Sequence, residues 1–527
     1  MKKIVFGLIM MNLIYTYSQK QVGSLNFEIK NSSKSIQKSF SIFNKYNSNT
    51  STFLFENKAI YAYLLNENFN LKKQLTFEIK KHKYNVFIGK IYDKKDNYTL
   101  ILSNSKRTKF AIIKFLFDTN KVLLIEDSFD TKNLRFLQSV NKGDKAHLLF
   151  LDEKTSNIVS RNYSINKETT STVFDFKNEK FFITDTKETS LKQLLTDYTK
   201  PNHSEIKNIV YELTKINDSP YKNEFVHKSF STTTKRSQVP PTSIELSSRL
   251  NKLYINENNV IITLDKNRFY TQVLTLNLEY GTYSFQKIKK PLYNVSSMNK
   301  RSNSFIHNNL FFQITTSKEV LNFSIYDLEN KSFLKEFITT SSDSIKFKNS
   351  PIIQEGGAFK EYRSLEQTKQ FLRKMSQSNV GIGVTSNKDD YEIVIGCEKQ
   401  TVKGINTIST ILSMALAGFS PNLMDTSNFS QADFNSFTNY LTTKSVRIHC
   451  LFDENFNHKT GRIQENIYDR ITNFIKPKLI IEKDGIYEVS SQNTEVPQAI
   501  DIFKTSNSTI LGFYLPLTKK YSFYTFN

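Results

Sequence analysis

Leu64-Leu-Asn-Glu-Asn-Phe-Asn-Leu-Lys72 and Leu451-Phe-Asp-Glu-Asn-Phe-Asn-His-Lys459 read alike. Each is an apolar strand end, an acid or amide, a short polar turn and the start of a second strand. Looser copies are Phe115-Leu-Phe-Asp-Thr-Asn120, Leu149-Phe-Leu-Asp-Glu-Lys154 and Ser324-Ile-Tyr-Asp-Leu-Glu-Asn330. In so biased a composition the match between the first two is expected by chance on the order of once, so identity carries little weight. Position carries more. Every copy stands where apolar alternation ends, and an Asp or Asn there can bond the backbone two residues on and close a turn.

Around these turns lie short runs of Ile, Val, Phe, Tyr and Leu with period-two alternation, the mark of a half-buried strand. They include Ile60–Leu65, Val86–Tyr92, Tyr98–Leu102, Phe110–Phe117, Val122–Glu126, Ala146–Leu151, Val260–Leu264, Phe269–Leu278, Leu310–Ile314, Val320–Tyr326, Tyr391–Gly396 and Val446–Phe452. Two hairpins are expected near the end. Lys478–Glu482 and Ile486–Ser490 flank Asp484-Gly485, which tolerates the positive φ of a tight turn. Thr509–Leu515 and Tyr521–Phe526 flank Pro516, which cannot donate to a ladder. Several copies of the turn are spaced by roughly 35 to 50 residues, and two longer gaps could each hide a degenerate blade plus an insertion. The expected fold is mainly β, a β-propeller of six to eight blades; the alternative is β-sandwich domains in tandem.

Helical periodicity is confined to apparent insertions. Leu191, Leu194, Leu195 and Tyr198 share one face, and Ile206, Ile209, Val210 and Leu213 another, within an insertion spanning 186–216. Leu365, Leu372 and Met375 suggest a helix in 360–377, with Ser364 and Gln367 at capping-box spacing. Ile463, Ile467, Ile471 and Phe474 suggest a fourth. The stretch 228–243, rich in Ser, Thr and Lys and holding Pro240-Pro241, reads as a linker-like loop.

Lys2 and Lys3, the apolar run Ile4–Ile14 and Thr16-Tyr17-Ser18 have the form of a secretory signal over residues 1–18, with the body at 19–527. The apolar run is shorter than the roughly 20 residues a bilayer needs. No later run is long and apolar enough either, so no transmembrane segment is expected after signal removal. Export to the periplasm, outer surface or medium is the expectation.

The formal charge is +22, which invites a nucleic-acid reading. However, only 12 of the 72 basic residues are Arg, the residue favoured for bidentate phosphate and base recognition, and they are scattered among abundant Asn, Ile, Phe and Tyr. An AT-rich coding sequence accounts for that mixture, and no nucleic-acid partner is expected.

Candidate chemistry is sparse. Asp453, Asn455 and Asn457 have the one-three-five spacing of a calcium loop, yet His458 stands where the glycine belongs and Gln464 where the bidentate Glu belongs. Turn closure is the stronger reading. His449, Cys450 and His458 raise zinc, but adjacent strand residues point to opposite faces. Cys397 and Cys450 could pair as a disulfide if their strands neighbour and their Cα atoms lie within about 7 Å; the alternative is two buried thiols. The acid pairs Asp389-Asp390 and Asp152-Glu153 sit at strand edges and read as solvated turn acids. No phosphate-cradling glycine motif, nucleophile elbow or zinc-protease helix is present. No cofactor is expected. The stretch 401–442 interrupts two good strands with small and apolar residues, and its Met414, Leu416 and Phe419 are the candidate binding loop.

Ser18 before Gln19, the strand Tyr391–Gly396, the long insertion, and Thr443-Lys-Ser-Val446 leading to Asp453-Glu-Asn-Phe-Asn457 together resemble exported flavobacterial (Bacteroidota) proteins of uncharacterised role with repetitive, propeller-like β bodies. The specific part of the resemblance covers mainly the last third of the chain. It implies export and a propeller-like body, and no activity. The expected function is an exported binding or scaffold module for a protein or glycan at the cell envelope, with no catalytic activity identified. The alternative is a propeller-fold extracellular hydrolase acting on carbohydrate or peptide, with acids converging near the channel.

Overall fold

A computed structural model describes residues 19–527 except 28–37, 57–58, 79–82, 85, 143, 166–168, 197–210, 217–242, 257–258, 293–299, 356–361, 388–389, 399–444, 464, 484–485, 490–496 and 527. Among these, the quoted motifs do close turns. Asn66 Oδ1 accepts from the backbone N–H of Asn68 (3.0 Å) and of Asn70 (2.9 Å). Asp453 Oδ1 does the same for Asn455 (2.9 Å) and Asn457 (2.7 Å). The fourth residue of each turn is left-handed, Phe69 at φ 58° and Phe456 at φ 59°. That conformation costs a non-glycine residue about 1–2 kcal/mol, which burying the ring offsets. Phe69 packs on Phe503 and Phe523, and Phe456 on Tyr391 and Phe312. Each turn thus drives an aromatic wedge toward the preceding sheet.

Among the described residues the strands form seven consecutive sheets of four or five, antiparallel but for β16. β1 (Lys20–Asn26) stands apart from its sequence neighbours. Blade one is β2 (Lys38–Phe43), β3 (Thr50–Phe55), β4 (Ala59–Leu65) and β5 (Leu71–Glu78). Blade two is β6 (Val86–Tyr92), β7 (Asn97–Ser103), β8 (Phe110–Leu116) and β9 (Lys121–Asp127). Blade three is β10 (Leu134–Lys142), β11 (Lys145–Asp152), β12 (Ile158–Ser164) and β13 (Thr170–Phe174). A short hairpin, β14 (Phe181–Phe182) with β15 (Glu188–Thr189), helix α1 (Leu191–Leu195), β16 (Thr214–Lys215) and helix α2 (Ile244–Ser247) follow. Blade four is β17 (Asn251–Asn256), β18 (Asn259–Leu264), β19 (Tyr270–Asn277) and β20 (Thr282–Lys289), with β16 added in parallel beside β17. Blade five is β21 (Arg301–His307), β22 (Leu310–Thr316), β23 (Val320–Asp327) and β24 (Ser332–Thr340).

Blade six is built out of order. β25 (Ile352–Glu355) and β26 (Tyr362–Leu365) precede helix α3 (Thr368–Met375), β27 (Asn379–Asn387), β28 (Asp390–Glu398) and β29 (Ser445–Asp453), yet the sheet runs β27-β28-β29-β25-β26. After the Asp453 turn the chain makes one bridge, Phe452 to His458, and leaves, so β25 takes the outer place. Helix α4 (Ile467–Leu479) and the hairpin β30 (Ile480–Lys483) with β31 (Ile486–Val489) lead to blade seven: β32 (Gln498–Lys504), β33 (Thr509–Leu515) and β34 (Lys520–Phe526). Its fourth strand is β1, antiparallel to β34. First and last segments therefore share one sheet, which closes a ring and makes the fold a β-propeller.

First strands of neighbouring blades meet at the axis, as β2 does with β32, β6 with β10 and β21 with β27. Outermost strands such as β5 and β9 are mostly exposed. Buried clusters join blade to blade, for example Phe40, Phe53 and Phe87 stacked between blades one and two. Where β1 closes the ring, Phe27 meets Tyr61 and Tyr514 edge-on. A Cβ on Gly23, at the β1 bulge, would lie 2.6 Å from the Cβ of Phe69, so only glycine admits the wedge there.

Several expected elements differ. Leu365 and Ser364 belong to β26, where they pair with β25, so the helix begins only at Thr368 and the capping box does not form. Lys478 lies in the last turn of α4 rather than opening a strand, because the apolar helical face continues through Ile471 and Ile475. Leu213 is buried outside any helix, just before β16. Among the described residues the second long gap holds no further blade: it separates adjacent blades five and six and holds the early outer strands. Residues 1–18, Tyr198, Ile206, Ile209, Val210, the stretch 228–242 and the insertion 401–442 lie outside the described residues.

Candidate functional site

Two places gather chemistry-bearing side chains. The first is at the axis, between blades three and six. β16 is tied to blade three by Lys215 Nζ on the Ser139 carbonyl (3.0 Å) and by Gln138 Nε2 on the Leu213 carbonyl (3.2 Å). Helix α2 packs on β27, where Gly381 leaves room for Ser247 and Ser248. These two segments bring three acids around one guanidinium. Arg249 lies 3.3 Å from Glu212 and 3.5 Å from Glu245, while Glu398 accepts from Ser248 Oγ at 3.3 Å. Burial, then the charge of Glu245, push the Glu398 carboxyl above the usual carboxylate range. Two carboxyls set in unlike environments, one of them raised by burial, are the electrostatic pattern from which acid–base pairs are built.

The second place is the face of blade six turned toward α4. Alternation along β28 and β29 puts Glu392, Arg447 and His449 on that face, with Ile393, Ile448 and Cys450 in the core behind. A cavity of about 520 Å³ opens there, lined by Glu392, His449, Arg462, Glu465, Asn466 and Asp469 among others. Asn466 caps α4: its side-chain oxygen accepts from Tyr468 and Asp469 N–H, both at 2.9 Å, while Asp469 Oδ2 accepts from the Asn466 N–H at 2.9 Å. That reciprocal cap fixes the cavity wall. The His449 ring is held at both nitrogens. Nδ1 lies 3.4 Å from Glu392 Oε1, and Nε2 is 3.3 Å from Arg447 Nε, which can only donate. Nε2 is therefore the acceptor and Nδ1 carries the proton. The lone pair a general base would need is already engaged.

The residues singled out from sequence fall elsewhere. Asp453 spends Oδ1 on two backbone N–H groups and Oδ2 on Asn457 Nδ2 (3.2 Å), so the calcium candidate Asp453, Asn455, Asn457 is a turn. No cluster of three or more His, Cys, Asp or Glu suited to a metal occurs among the described residues. Cys397 and Cys450 do lie on neighbouring strands, but Cys397 pairs with Val446 and Cys450 with Ile393. Four positions of offset exceed disulfide reach, and both are free, buried thiols. Asp390 pairs with Lys459 (2.7 Å), and Glu153 with Arg135 (3.1 Å). Met414, Leu416 and Phe419 lie outside the described residues.

Sequence reasoning missed both places, as well as a buried ionic knot between blades four and five. There Asp265 accepts from Lys252 Nζ (3.0 Å), Ser304 Oγ (2.7 Å) and Thr271 Oγ1 (2.7 Å), with Lys290 Nζ 3.6 Å away. Burial opposes every charge in the knot. Lys290 is drawn down to about 8 and Lys252 is also lowered, while the two ammonium groups and the hydroxyls keep the Asp265 carboxyl below its ordinary value. No local signal marks it, since Lys252 follows Asn251 and Lys290 follows Lys287 and Lys289.

No family model and no curated protein sequence matches this chain. Solved structures that it is similar to include the Dos1 propeller (10% identity, 80% of this chain and 80% of that chain, TM-score 0.24). The Nup133 β-propeller domain of Vanderwaltozyma polyspora is another (10%, 68% and 80%, 0.24). A third is dihydro-heme d1 dehydrogenase NirN (8%, 56% and 46%, 0.23), of which this chain spans less than half. The propeller assignment rests on the strand pairing, not on these scores.

Proposed function

We propose that the protein is an exported β-propeller binding module that takes a polar ligand, a protein segment or glycan of the cell envelope, in the cavity between blade six and α4. The observation that carries this reading is the double tether of His449. With Glu392 on one nitrogen and Arg447 on the other, the ring offers a fixed surface rather than an available base. Fixed donors and acceptors in a concave site are what recognition of polar ligands requires. Export is supported by Lys2, Lys3 and the apolar run Ile4–Ile14. The test is binding of the purified body to arrays of envelope polysaccharides and peptides, with Arg462→Ala and His449→Ala alongside. Ligand capture reduced at least tenfold in both variants, without loss of folding, supports the cavity; capture unchanged in both refutes it.

A hydrolase is the second reading, favoured by Glu398 beside Glu245 at the axis. Turnover of a glycoside or peptide that Glu398→Gln abolishes, while His449→Ala leaves it intact, would replace the binding reading.

A further inference from the structure

Outer strands of propeller sheets end in unpaired backbone groups, and proteins protect such edges with charges, bulges or brevity. This chain does so at most of its rim. β5 carries Lys72 and Lys73 and is bulged against β4 at Leu64/Leu65. β24 carries Lys335 and Glu336 and is bulged at Ile325/Tyr326. β1 is bulged between Gln21 and Gly23, β13 opens Thr-Ser-Thr, β20 holds Lys287 and Lys289, and β26 has four residues. β9 confines its charges, Lys121, Glu126 and Asp127, to its ends. It has seven residues, pairs with β8 without a register shift, and has no charge from Val122 to Ile125. Leu123, Leu124 and Ile125 are 43%, 47% and 43% exposed.

The sequence of that edge, Lys-Val-Leu-Leu-Ile-Glu-Asp, suits its own antiparallel image. With a two-fold axis through Leu124, Leu124 faces Leu124, Leu123 faces Ile125, Val122 faces Glu126 and Lys121 faces Asp127. The centre of the pairing is hydrocarbon and its ends carry opposite charge. Asp127 is already held by Arg161 (2.9 Å) and Tyr163 (2.5 Å), and Glu126 by Lys83 (2.7 Å), so the outer rungs orient the pair more than they strengthen it. We propose that β9 is a self-association edge: two copies of this chain join blade two to blade two, making one continuous eight-stranded sheet across an isologous interface. One strand per partner buries less surface than a permanent dimer needs, so the assembly is reversible and concentration-dependent.

Sedimentation velocity across a hundredfold concentration range tests it. Wild type is expected to shift from monomer to dimer, Leu124→Lys and Leu124→Glu each to remain monomeric, and their equimolar mixture to regain the dimer. Regain by the mixture excludes misfolding as the cause. Oxidised Leu124→Cys is expected to crosslink to itself in high yield. A wild type that stays monomeric throughout, a dimer indifferent to Leu124→Lys, or capture of an unrelated extended peptide by β9 in place of a second copy would overturn the proposal.

Discussion

Replacing Asp265 with Asn changes one charge and almost no volume, at a position where the structure fixes the consequence. The carboxylate is fully buried between blades four and five, with Lys252 at 3.0 Å and Lys290 at 3.6 Å. In Asp265→Asn both ammonium groups keep neutral partners: Lys252 the Arg249 carbonyl (2.7 Å), and Lys290 the carbonyls of residues 265 (2.9 Å) and 267 (2.7 Å). Neither keeps a counter-ion in contact, only the more distant charge of Glu212 acting on Lys252. Breaking a buried ion pair from one side costs about 3–5 kcal/mol. Two cations share this anion, so the upper part of that range is expected. Urea unfolding followed by tyrosine fluorescence suits a chain without Trp, and far-ultraviolet dichroism provides the second probe. Asp265→Asn combined with Lys252→Met should recover at least 1 kcal/mol of the loss, because it also removes one uncompensated charge. A loss below about 1 kcal/mol in the single variant, with coincident transitions by both probes, would refute the reasoning.

Phe69→Ala should cost about 3–5 kcal/mol by emptying the wedge between blades one and seven, and Asn66→Ala about 0.5–1 kcal/mol, because the two turn N–H groups it releases are exposed and take water instead; urea midpoints check both. His307, drawn down to about 4 by burial, binds its proton later than the unfolded chain does as pH falls. Stability should therefore fall by roughly 3 kcal/mol between pH 6.5 and 4, and His307→Gln should flatten that limb. Lys290, at about 8, has the same sign, so its contribution rises from pH 8 toward 10.5. Burial raises both thiols, Cys397 to about 11, so neither should react with a disulfide reagent at pH 8 until the protein unfolds.

The strands were legible where one face is core and the other wet: Val86–Tyr92 appears in the sequence with the bounds it has in the fold. The turns were legible because Asn66 and Asp453 act on backbone atoms two and four residues away. Axis strands were harder. β17 opens with Asn251 and Lys252, and β21 with Arg301-Ser-Asn-Ser304, because Asn251, Lys252, Asn303 and Ser304 are satisfied by protein groups distant in sequence rather than by water. Nothing local announces that β1 completes the last blade or that β25 precedes the sheet it finishes, since both pairings span long separations. The cavity and the acid cluster escaped for the same reason. Glu392 and His449 are 57 residues apart, and Ser248 and Glu398 are 150; only the register and the ring bring them together.

Ring closure by β1 is the claim on which the architecture stands, and a cysteine pair at Ser24 and Ser522, directly opposite in the β1–β34 register, tests it most directly. Oxidised Ser24→Cys/Ser522→Cys should crosslink quantitatively within the monomer and raise stability by up to about 5 kcal/mol, as closing so long a loop implies. Absence of the crosslink in the folded protein, with both introduced thiols reacting freely, would contradict the closed ring.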